Sequence, residues 1–93
     1  MKKAKLYIDN EEFGTLEFTN HEFKYEELTI YSNNNYSLDY ILDRGIAKFE
    51  IKLNKKHSLF FNATIEKVSK ARNWNEIENI YTISISNKEM IDA

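Results

Sequence analysis

The 93 residues predict a mainly β fold, borderline α+β: an antiparallel sheet of about six strands, curled as a small barrel or sandwich, with one short helix between strands 3 and 4. Three observations carry that prediction. Apolar residues alternate with polar ones over several short runs, which is the rhythm of strands with one buried face. Only one segment has helix-start and helix-stop signals. Hydrophobic residues make up 42% and aromatic residues 14% of the chain, enough for a packed core despite 30% charged residues.

Taken in order, Ala4, Leu6 and Ile8 alternate with Lys5, Tyr7 and Asp9, and the run Asp9-Asn10-Glu11-Glu12 breaks the pattern. Leu16 and Phe18 resume it, with Gly14 placed where a turn or bulge would want it, so the two runs should pair as a hairpin. Between Glu22 and Ser32 the apolar positions are Phe23 and Tyr25, then Leu28 and Ile30. That flip of parity across Glu26-Glu27 means either a bulged strand or two short ones. Asn33 to Ser37 form a loop, after which Ser37 caps a helix with Asp39 at its positive end and Leu38, Ile41 and Leu42 on one face; Gly45 stops it. Ala47, Phe49, Ile51 and Leu53 make the clearest strand. Leu59, Phe61, Ala63 and Ile65 return from it as a hairpin around Asn54 to His57, leaving Phe60 outward.

Ile65, Val68, Ala71, Trp74 and Ile77 recur every third residue. A helix turns about 100° per residue, so these side chains would spiral around it and could not line one face. Strand followed by a polar loop from Ser69 to Asn75 is therefore expected, then a last strand carrying Tyr81, Ile83 and Ile85. Residues 88–93 are expected to fray, and the whole chain to be a single small domain.

Composition excludes several chemistries. With no cysteine there is neither a disulfide framework nor a thiolate site. His21 and His57 lack zinc-binding spacing, and two glycines cannot build a phosphate-cradling loop. Neighbouring carboxylates such as Glu11-Glu12 point to opposite faces of a strand, which suits no paired-carboxylate chemistry. The expectation is a protein without enzymatic activity, cofactor or metal. No apolar run could cross a bilayer as a helix and MKKAKLYIDN lacks a signal-peptide core, so a cytoplasmic location with no membrane role is expected.

Charge is two-sided. Residues 1–45 sum to −4 and residues 46–93 to +2. Glu11, Glu12, Glu17, Glu22, Glu26 and Glu27 form an acidic flank that could imitate a phosphate backbone before a nucleic-acid-binding protein. Arg44, Lys48, Lys52, Lys55, Lys56, Lys67, Lys70 and Arg72 form a basic one that either contacts phosphates or keeps a hairpin soluble, solubility being the commoner role. Tyr31, Tyr36, Tyr40 and Trp74 fall in loops or on polar faces, where aromatic anchors serve binding or cap an open sheet end.

In size, single-domain form and lysine-, asparagine- and isoleucine-rich composition, the chain resembles the small accessory proteins of phages and mobile elements, including inhibitors of host defence of the anti-CRISPR type. That resemblance implies a protein-binding module that inhibits a host macromolecule by occlusion, with DNA mimicry as one route. Two alternatives stand beside it: a structural β subunit of a phage tail or similar assembly, and direct nucleic-acid binding through residues 44–72.

Overall fold

The computed structural model describes residues 2–18, 26–73 and 78–91. Six antiparallel strands close into a barrel in the order β1-β2-β3-β6-β5-β4: β1 Lys2–Ile8, β2 Glu11–Phe18, β3 Glu27–Ser32, β4 Ile46–Lys52, β5 Ser58–Asn73 and β6 Glu78–Met90. The barrel is two three-stranded meanders joined along both edges, β1 to β4 and β3 to β6. Helix α1, Leu38–Leu42, carries the chain from the first meander to the second.

Each turn follows from local chemistry. Asp9 and Asn10 both adopt positive φ (51° and 69°), forming the two-residue loop whose twist suits a hairpin, so β2 begins at Glu11 rather than beyond a four-residue break. In the β4–β5 turn the Asn54 side-chain carbonyl accepts from the backbone N–H groups of Lys56 and His57 at 2.8 and 3.0 Å. Ser37 caps α1 by accepting from Tyr40 N–H at 3.0 Å. The helix ends at Asp43, and Gly45 follows with φ 63°, donating to the Leu42 carbonyl. Ile41 alone of the helix is fully buried; Leu38 and Leu42, expected beside it, stay more than a third exposed because only one turn of this short helix faces the barrel.

Two bulges set which side chains enter the core. Leu6 pairs with Gly14 and Tyr7 with Glu12, leaving Phe13 as the inserted residue. Its ring turns inward and is buried against the core instead of facing out with Thr15 and Glu17. Gly14 permits the close approach of β3, since a Cβ there would lie 2.3 Å from the Tyr31 carbonyl oxygen. On β5, Ile65 pairs with Ile85 and Lys67 with Ser84, so Glu66 is inserted. The three-residue step from Ile65 to Val68 is therefore alternation plus one extra residue.

That step corrects the loop expected from Ser69 to Asn75. Ser69 to Asn73 continue β5 and pair with Glu78 to Thr82 of β6, while Trp74 and Asn75 lie outside the described residues. The tail expected to fray from residue 88 remains strand through Met90, which pairs with Phe61. The parity change across Glu26-Glu27 also involves residues outside those described; β3 starts at Glu27. Phe49 and Phe61 stack at 5.1 Å in the barrel interior, with Leu6, Ile8, Ile30, Ile51, Tyr81 and Ile83 buried around them.

Candidate functional site

Half of the acidic flank, Glu11, Glu12 and Glu17, sits beside basic side chains. Arg44, just beyond α1, directs one guanidinium nitrogen to Asp9 at 3.0 Å and the other to Glu11 at 2.7 Å. Glu12 faces Lys5 at 3.7 Å and Glu17 faces Lys3 at 3.8 Å. Glu26 and Glu27 are exposed at the start of β3, and Glu22 lies outside the described residues. The carboxylates therefore do not form one open field.

The aromatic candidates divide similarly. Tyr36 stacks on Phe13 at 4.5 Å and on Tyr40 at 5.8 Å, and its hydroxyl donates to the Glu12 carbonyl. Its N–H donates to the buried Tyr81 hydroxyl at 2.7 Å, and that hydroxyl in turn donates to the Asn34 carbonyl at 2.8 Å. Arg44 sits 5.0 Å from both the Phe13 and Tyr40 ring centres. The Tyr40 hydroxyl donates to Glu11. This hydrogen bond is the chief reason the Tyr40 pKa lies above its ordinary value, with desolvation second. Burial would lower the Arg44 pKa, but its hydrogen bonds to Asp9 and Glu11 outweigh that and raise it. Tyr36, Tyr40 and Arg44 thus build a lid over the barrel end. Tyr31 is half-buried on β3 opposite Thr15, and Trp74 lies outside the described residues.

The expected basic flank is dispersed. Arg44 belongs to the lid. The Glu66 bulge puts Lys70 on the same face as Tyr81, at the barrel rim, where its ammonium contacts the Asn35 side chain and lies 5.7 Å from the Tyr81 ring centre. Arg72 pairs with Asn79 beside it. Lys67 is exposed on β5, whereas Lys48 and Lys52 project from β4 and Lys55 and Lys56 occupy the turn after it.

What the fold assembles instead is a groove of about 540 Å³ over the β1–β4 seam, lined by Lys3, Lys5, Tyr7, Lys52, Asn54 and Lys55 among others. Lys5 lies directly opposite Lys52 in the ladder. Like charges in that position repel each other. Lys5 has Glu12 within reach, but among the described residues neither Lys52 nor Lys55 has an ion-pair partner. Lys3 and Lys5 were not among the candidates from sequence. The signal was present, because alternation with Ala4, Leu6 and Ile8 throws them outward together with Tyr7; only barrel closure sets them beside Lys52.

Among the described residues no group of three His, Asp or Glu side chains could hold a metal, and no helix is long and apolar enough to cross a membrane. His57 is exposed in the β4–β5 turn. Compared with family models, curated proteins and solved structures, the chain finds no match.

Proposed function

We propose that this protein is a non-catalytic binding module that holds the phosphates of a nucleic acid on the outer face of its β1–β4 seam. The direct apposition of Lys5 and Lys52, within one groove that also gathers Lys3 and Lys55, carries the proposal. Lys5 and Lys52, directly opposed, repel each other in the free protein, and phosphates relieve that repulsion while releasing counterions from the polymer. The overall charge of −2 does not set the local charge at the seam, where Lys3, Lys5, Lys52 and Lys55 gather, because charges more than a screening length away are damped by salt.

Occlusion of a protein partner, the reading implied by resemblance to phage accessory proteins, rests on less. Mimicry of DNA needs a continuous array of open carboxylates, and Glu11, Glu12 and Glu17 each face a basic side chain. That reading retains as its surface the apolar corner where Leu38, Leu42 and the 76% exposed Ile46 meet solvent.

The test is fluorescence anisotropy with labelled oligonucleotides across a salt series. With about four phosphates engaged, log K should fall against log salt with a slope of about −3 to −4. The double substitution K5E/K52E should abolish binding while K67E on β5 leaves it nearly unchanged. Absence of binding to any oligonucleotide at low salt would overturn the proposal, as would equal loss in the two variants.

A further inference from the structure

Beside the lysines, the same outer face holds a row of side chains unlike anything phosphates need. Tyr7 on β1 is opposite Glu50 on β4, and Glu50 is opposite Phe60 on β5. All three are half-buried. Tyr7 alternates with the core residues Leu6 and Ile8, and Phe60 precedes the core residue Phe61, so both rings stand on the outside of the barrel. Two strand spacings separate them, about 10 Å. The adjacent row on this face is Lys5 and Lys52, two residues along each strand, and Lys48 flanks the other side with its ammonium 5.3 Å from the Phe60 ring centre. Lys48 is exposed on a flexible stem, so it can swing from that ring to a neighbouring phosphate.

Two aromatic faces with cations on either side form a platform suited to unstacked bases and a flexible backbone. A duplex hides its base faces in its own stack and presents only phosphates and groove edges. Between the rings, Glu50 accepts a hydrogen bond from the Ser58 hydroxyl at 2.9 Å, which fixes the orientation of its carboxylate. A carboxylate held there repels phosphate but accepts from the exocyclic amino group of a base. Resting on the phosphate-binding reading above, we infer that the ligand is a single-stranded nucleic acid, its bases stacked on Tyr7 and Phe60 with an amino edge toward Glu50 and its phosphates on Lys5, Lys52 and Lys48.

The deciding experiment uses the full chain and four probes of equal phosphate number: oligo-dC and oligo-C, whose bases carry an exocyclic amino group, an abasic single strand with the same backbone, and a duplex. Oligo-dC or oligo-C should bind at least tenfold more tightly than the abasic strand and the duplex, as expected from stacking on two rings. The difference between oligo-dC and oligo-C, which differ only in the 2′-hydroxyl, tells DNA from RNA as the source of the strand. Tyr7→Ala and Phe60→Ala should each lower affinity for the preferred strand about tenfold while leaving the abasic strand unaffected, and Tyr7→Phe, which keeps the ring and its packing, should bind as the parent does. Equal binding of abasic and base-bearing strands would overturn the stacking platform and leave the phosphate site standing, and tighter binding of the duplex would do the same. Failure of all four probes to bind would remove both.

Discussion

Arg44 is one of only two arginines in a chain with eleven lysines, and its surroundings show what an ammonium could not do. Its planar fork reaches Asp9 and Glu11 with separate nitrogens while its face lies against Phe13 and Tyr40. With 15% of its side chain exposed, it ties the β1–β2 turn to the end of α1. Arg44→Lys keeps the charge but loses the fork, and should destabilise the fold by about 1 to 2 kcal/mol in urea denaturation. A smaller loss than Lys5→Ala produces would show that the pairing is only a surface contact. From the sequence Arg44 counted only as one cation of the basic flank; its partners were not legible, since Asp9 and Glu11 are more than thirty residues away in sequence.

At the scale of elements, pairing is very uneven around the barrel. β5 and β6 run alongside each other from Phe61 to Asn73, whereas the described register between β2 and β3 is two residue pairs, Thr15 with Tyr31 and Leu16 with Ile30. Amide exchange should follow this difference. Backbone N–H groups of Ile65 to Ala71 and of Ile80 to Ile85 at the β5–β6 ladder are expected to be the last to exchange, and those at the β2–β3 pairs near Tyr31 to exchange through local opening at least tenfold sooner. Uniform protection around the ring would contradict it. Strand alternation was readable in β1, β4 and β5, and Ser37 and Asn54 announced the cap and the turn through their side-chain oxygens. The bulges at Phe13 and Glu66 were not readable as such, because one inserted residue leaves composition unchanged and only reverses which face follows. Expecting a loop after Ser69 and missing Phe13 as core both come from that reversal.

For the molecule as a whole, two tyrosines under and within the lid link stability to alkaline pH. Burial raises the Tyr81 pKa above its ordinary 10.0, and the hydrogen bond to Glu11 does the same for Tyr40. A group with a raised folded-state pKa favours the folded chain while protonated, so this contribution is complete below pH 10.0 and is lost as pH rises through the shifted values. The urea midpoint should therefore fall more steeply above pH 10 in the parent than in Tyr81→Phe, although the variant starts lower for want of the bonds to Tyr36 and Asn34. Parallel curves would show that Tyr81 does not couple to folding. The lysine groove also belongs to this scale, since Lys5 and Lys52 are neighbours only because the first meander closes on the second.

By itself the order of residues determined an antiparallel β protein with one capped helix, because alternation, capping oxygens and turn formers act over a few neighbouring positions. It also determined that Lys3, Lys5 and Tyr7 would share a face. Tertiary structure alone decided which faces meet: closure of β1 on β4 brought Lys5 to Lys52, and the α1 crossing took Arg44 out of the basic flank and placed it between two carboxylates. Charges far apart along the chain interact only at the short distances that folding creates, so their pairing is a property of the closed barrel.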